Sequence, residues 1–147
     1  MGDLRELYQE LILDHNQNPQ NFGELDGATA TADGFNPLCG DRLTLYLRMI
    51  GDVVEDLKFV GTGCAISKAS ASIMTTVLKG KTREEALALF EMFQKMATTG
   101  ELPNSDLGKL AVLSGVYKYP VRVKCAVLAW HTAKSALAGK NTLTKTE

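Results

Sequence analysis

Residues 42–61 read RLTLYLRMIGDVVEDLKFVG, and their alternation decides the fold class. Leu43, Leu45, Leu47 and Met49 fall on one face, with Thr44, Tyr46 and Arg48 on the other. A period of two marks a half-buried strand. Gly51-Asp52 forms a two-residue turn of Gly-X type, after which Leu57 and Phe59 alternate with Asp56 and Lys58. The stretch reads as a β-hairpin. Just upstream, residues 27–34 (GATATADG) alternate small and polar groups and suit a short edge strand.

Helical periodicity surrounds this hairpin. Leu4, Leu7, Tyr8, Leu11 and Ile12 recur at helical spacing in residues 3–15. The following NQNPQNFGELDG reads as loop. GTGC at 61–64 ends the last strand and opens a helix over about 65–79, with Ile66, Ala69, Ile73 and Val77 as its apolar stripe. The small residues Ala69, Ser70, Ala71 and Ser72 let another element pack closely. Thr82 and Glu85 form a capping box for a helix carrying Leu87, Phe90, Phe93 and Ala97. Residues 98–106 read as loop. A short helix with Leu107, Leu110, Ala111 and Leu113 follows, and Gly115 to Tyr119 reads as a break. Pro120 suits the first turn of a last helix that runs to about Leu137. Strands followed by consecutive helices predict an α+β fold: a small three-stranded antiparallel sheet with helices mainly on one face. The chain reads as a single domain, 1–147, with a polar, frayed tail over 139–147.

Composition narrows the function. The chain has 147 residues, 45% of them apolar, enough for a real core. Its 16 basic and 17 acidic residues leave a net charge of −1, so no basic excess exists to hold nucleic acid. No apolar run approaches a membrane span, and the polar N-terminal helix pattern argues against a secretory signal. Three cysteines make an odd count, which fits reduced thiols in the cytoplasm better than a disulfide framework.

Those cysteines carry the chemistry. Cys39 stands in NPLCGD (36–41), a run of turn formers before a strand. Cys64 marks a strand-to-helix junction, and Cys125 is expected in about the first turn of the last helix. Ligands gather at loop ends on rigid scaffolds, and a helix N-terminus stabilises a thiolate, as expected here for Cys64 and Cys125. Gly40, Gly61 and Gly63 permit close backbone approach beside the thiols. Asp41 can bring a carboxylate to the same point. Cys39, Asp41, Cys64 and Cys125 would form a three-sulfur, one-oxygen set suited to tetrahedral Zn²⁺, or to iron–sulfur chemistry. No CxxC pair occurs, and spacing alone leaves open three unrelated buried cysteines.

NPLCGD, GTGCAISKASAS and VRVKCAVLAW resemble, in order, the three cysteine motifs of the IscU/NifU-type iron–sulfur scaffold family. The similarity runs from about Leu4 to Leu137 and implies a SufE/IscU-like fold. Lys124 stands where the housekeeping branch has a histidine, and Tyr119-Pro120-Val121-Arg122 replaces its Leu-Pro-Pro-Val-Lys chaperone motif. The second difference speaks against an Hsp70-type chaperone partner. With extra length over about 90–115, these features resemble the SufU branch of Gram-positive bacteria. The resemblance implies Zn²⁺ held by Cys39, Asp41, Cys64 and Cys125. It implies sulfur taken onto Cys39 from a SufS-type cysteine desulfurase, a histidine of which would replace Cys39 on the metal. The implied role is a sulfur relay rather than a stand-alone metabolic enzyme, with downstream Suf assembly proteins as further partners.

The alternative on the same residues is a scaffold that assembles a [2Fe–2S] cluster, with iron or the cluster in place of zinc. Lys124 in place of a histidine argues against it. A closed structural zinc module would need no mobile ligand, and a cysteine hydrolase would need a placed histidine. His131 lies about 120° around a helix from Cys125, so it reads as a surface or packing residue. His15 reads as complementing a helix C-terminus. Lys124 reads as a solvated lysine, with Arg122 a candidate partner contact. Phe35 and Tyr46 read as rim residues, and Trp130 as core or interface.

Overall fold

The alternation over residues 42–49 dictates a two-faced sheet with one covered side. In the computed structural model, residues 2–37, 40–101, 108–139 and 144–145 are described, with side chains described over 9–37, 40–101 and 110–139. β1 (Ala30–Asn36), β2 (Asp41–Ile50) and β3 (Val53–Thr62) form an antiparallel meander, joined between β2 and β3 by the expected Gly51-Asp52 turn. Leu43, Leu45, Leu47, Leu57 and Phe59 are buried, while Arg42 and Thr62 on the other face are exposed. Truncating one of these leucines to alanine would cost about 2–5 kcal/mol through lost transfer energy and the cavity left behind. Register shifts between Arg48 and Met49, and Met49 beyond it is only partly buried.

The three expected antiparallel strands are present, and a short fourth strand joins their edge. Thr144–Lys145 forms a short β4 that pairs in parallel with β1, giving the order β3-β2-β1-β4. β1 is therefore flanked on both sides, and part of the tail expected to fray joins the sheet. β1 also runs two residues further than 27–34 suggests. Its last residue, Asn36, pairs with Asp41, so only residues 37–40 form the connecting loop.

The helices cover the buried face. α1 (Gly2–Gln17) and α2 (Ala65–Leu78) pack together through the small-residue run. His15 is buried, and its Nδ1 lies 2.7 Å from Ser72 Oγ. It stands in the last turn of α1, as expected, and this tertiary bond adds to that placement. α3 (Arg83–Thr99) opens with the expected capping box: Glu85 N–H donates to Thr82 Oγ1 at 3.1 Å and Thr82 N–H to Glu85 Oε1 at 2.9 Å.

Gly108–Lys118 is a continuous 3-10 helix, running straight through the expected break at Gly115. Leu110, Leu113 and Val116, three apart, are all buried, which is the stripe a three-residue turn presents. Leu107 lies outside the described residues. α4 (Pro120–Leu137) starts with Pro120 in its first turn and is apolar on most sides, as befits a central helix. Trp130 is buried and stacked on Phe93 with ring centroids 4.6 Å apart. Among the described residues, its Nε1–H meets no hydrogen-bond acceptor. No helix of the described residues is long and apolar enough to cross a membrane.

Candidate metal centre

The centre grows from the end of the β1–β2 ladder. Asn36 and Asp41 are the last cross-strand pair, and both side chains point to the helix-covered face and are fully buried. The loop between them is closed by Gly40 N–H, which donates to Asn36 O at 2.8 Å. Gly40 has φ 72°, a left-handed backbone that a side chain would strain. Cys39 belongs to this loop by sequence, and its placement lies outside the described residues.

β3 runs antiparallel to β2, so its end returns beside Asp41. Cys64 then serves as the N-cap of α2, with φ −72° and ψ 167°. Its backbone N–H donates to Asp41 Oδ1 at 2.9 Å, and its Sγ accepts the Ser67 N–H at 3.4 Å. The thiol thus sits where a helix N-terminus favours negative charge. Cys125 differs from expectation. α4 begins at Pro120, so Cys125 stands in the second turn rather than at the helix start, and it is 2% exposed. Of the two thiols expected near helix N-termini, Cys64 alone caps its helix. Cys125 Sγ instead accepts a hydrogen bond from Asn36 Nδ2 at 3.5 Å.

α2 and α4 are locked together where they carry these thiols. Ser70 Oγ–H, fully buried, donates to Ala126 O at 2.5 Å, one residue past Cys125. The small-residue run of α2 therefore serves the spacing of the site.

The result is a convergent donor set. One ligand atom each from Asp41, Cys64 and Cys125 lies within 4.8 Å of the others. Ligands around tetrahedral zinc sit about 3.5 Å apart, given bonds of about 2.0–2.3 Å. Two sulfurs and a carboxylate at this spacing fit Zn²⁺ in number, charge and chemistry. Cys64 and Cys125 are free thiols, as metal ligation requires.

Three of the four expected ligands are thus brought together, and the fourth lies outside the described residues. Neither histidine joins this cluster. His131 meets Phe90 edge-on at 5.1 Å. Burial, then the nearby Lys134 charge, hold its pKa below 6.5. Lys124 is half-buried rather than freely solvated. Arg122 lies 4.9 Å over the Tyr119 ring, and Arg42 lies 4.2 Å over Phe35 at the ladder end. Asn36 and Ser70 were missed as site residues. The inward positions Ala32 and Gly34 point on to Asn36 by strict alternation, a signal that the turn-forming NPLCGD obscures.

Comparison with known proteins agrees with this geometry. The profile of the NifU-like N-terminal domain family matches residues 7–126. The zinc-dependent sulfurtransferase SufU of Bacillus subtilis is 45% identical over 138 residues, covering 93% of each chain. The iron–sulfur cluster assembly scaffold protein IscU of Streptococcus pyogenes is 42% identical, covering 93% of this chain and 86% of its own. A crystal structure from Fervidobacterium islandicum, described as an iron–sulfur cluster assembly scaffold protein for the SUF system, superposes with a TM-score of 0.84. It is 38% identical and covers 90% of this chain and 98% of its own.

Proposed function

The chain belongs to the NifU-like N-terminal domain family, and on that premise we propose that it is a zinc-dependent sulfur acceptor in iron–sulfur cluster biogenesis. Its sulfur donor in this reading is a cysteine desulfurase of the SufS type. The observation that carries the reading is the convergence of Asp41, Cys64 and Cys125 at the base of the loop that bears Cys39. The similarity to a zinc-dependent sulfurtransferase over nearly the whole chain supports it.

Each residue then has a part. Asp41, Cys64 and Cys125 stand on a strand end and two helices, so they are the fixed ligands. Cys39, on the four-residue loop, is the ligand free to leave and is the acceptor. Zinc, when bound, keeps its thiol ligands deprotonated at neutral pH. The transfer is a thiol–persulfide exchange. Cys39 thiolate attacks the terminal sulfur of the donor's persulfide. A new S–S bond forms, the donor's S–S bond breaks, and its electron pair leaves on the donor cysteine as thiolate. No net oxidant or reductant is consumed. The exposed Arg122 and Arg42 near the site suit contact with an acidic rim on the donor. A reducing, cytoplasmic setting fits three thiols that must stay reduced.

The similarity to proteins named scaffolds favours a second reading, in which the same residues hold an assembling cluster as cargo. One experiment separates the two. Metal analysis of the purified protein should find about one zinc per chain, and anaerobic iron with sulfide should leave no stable cluster. A stable cluster that displaces zinc would favour the scaffold.

A further inference from the structure

We propose that Asn36 is a positioning residue of the metal centre, whose single side-chain amide is shared between Asp41 and Cys125 and fixes these two ligands relative to each other. Asn36 Nδ2 donates to Asp41 Oδ2 at 3.4 Å and to Cys125 Sγ at 3.5 Å. Those partners lie 5 and 89 residues away in sequence, on a strand and a central helix.

The chemistry requires a neutral donor here. Asp41 is fully buried and Cys125 nearly so, and both are anionic as ligands. Two buried anions repel unless donors lie between them. An amide supplies two N–H donors with no added charge. An aspartate at position 36 would instead place a third anion in the same space. A hydrogen bond to a ligating thiolate also withdraws electron density from sulfur and orients it. Cys125 is thereby held as a fixed ligand.

Asn36 also ties these ligands to the acceptor loop. Its backbone carbonyl accepts Gly40 N–H at 2.8 Å, closing residues 37–40. Its side chain thus bonds two of the converging groups while its main chain bonds Gly40, next to Asp41.

This inference rests on the zinc-site reading, and its test distinguishes the two. The variants are Asn36→Leu, close in shape with no donor, and Asn36→Asp, isosteric with the opposite donor character. Zinc affinity is read by competition with a chromogenic chelator. Both variants should bind about tenfold to a hundredfold more weakly than wild type. With Co²⁺ as probe, the thiolate-to-cobalt charge-transfer band of Asn36→Leu should move to longer wavelength, a shift that a merely structural role would not produce. The metal-free Tm of Asn36→Asp provides the folding control if Asn36→Leu cannot be purified. Variants that bind zinc within twofold of wild type with an unchanged cobalt spectrum would overturn the role of Asn36 alone. A wild-type protein that binds neither metal would overturn the zinc-site reading and this inference with it.

Discussion

Gly63 leaves no room for a side chain beside Asp41: a β-carbon there would lie 2.5 Å from Asp41 Oδ1 and 3.0 Å from its Cγ. The carboxylate cannot yield easily, because Cys64 N–H already holds Oδ1 and the side chain is fully buried. Gly63→Ala should therefore push Asp41 out of the donor set. We expect zinc affinity to fall by about tenfold or more, with the secondary structure intact by circular dichroism. Unchanged affinity in a chelator competition would show that Asp41 is not held in this geometry.

Ser72 ties the first helix and the loop after it to α2. Its Oγ accepts Gln20 N–H at 2.7 Å and lies 2.7 Å from His15 Nδ1. Ser72→Ala removes one partner from each. The expected loss is about 1–3 kcal/mol, the usual cost of stranding a buried polar group. A lowered urea midpoint with an unchanged m-value would check it.

His131 predicts the acid side of the stability profile. Burial, then Lys134, lower its pKa from 6.5 in the folded chain. The unfolded chain thus binds this proton more readily than the folded one. The stability that the neutral ring contributes is fully present above pH 6.5 and is lost as pH falls through the folded-state pKa. His131→Gln should flatten the dependence below pH 6.5 relative to wild type, measured as urea stability at a series of pH values.

The capping box of α3 should respond independently of the metal. Thr82→Ala should cost about 1 kcal/mol. The Glu85 carboxyl is held below its usual 4.5 first by its bond from Thr82 N–H, then by the Thr82 side chain. The stabilising bond of its carboxylate is therefore present above pH 4.5 and lost as pH falls through the lowered value. The Tm difference between wild type and Glu85→Gln should shrink in acid.

The parts of this molecule legible in sequence are those written in local periodicity. Leu43, Leu45 and Leu47 against Leu57 and Phe59 declare the hairpin, and Thr82 with Glu85 declares a helix start. What was hidden depends on distant partners. Asn36 reads as a turn former because its neighbours are Pro37 and Gly40, yet its backbone pairs with Asp41 and its side chain reaches Cys125. The Thr144–Lys145 strand is too short to alternate and exists through its pairing with β1. Gly115 suggests a break by propensity, but the buried stripe of Leu110, Leu113 and Val116 carries the 3-10 helix through it. Cys125 follows Pro120 by five residues and so stands in the second turn of α4, just past the helix start that its sequence position suggests. Of the site, Asp41 and Cys64 are legible as residue types at element ends and Cys125 as one near a helix start, whereas the amide that joins Asp41 and Cys125 is not.

The central claim is that Cys39 accepts sulfur while the other ligands stay fixed. Its most direct test is peptide mass spectrometry of the zinc-loaded protein after turnover with a cysteine desulfurase and cysteine. The account predicts a mass increment of one sulfur atom on the peptide bearing Cys39, absent in Cys39→Ser, with Cys64 and Cys125 unmodified. Persulfide on Cys64 or Cys125 instead, or full stimulation of the desulfurase by Cys39→Ser, would contradict it.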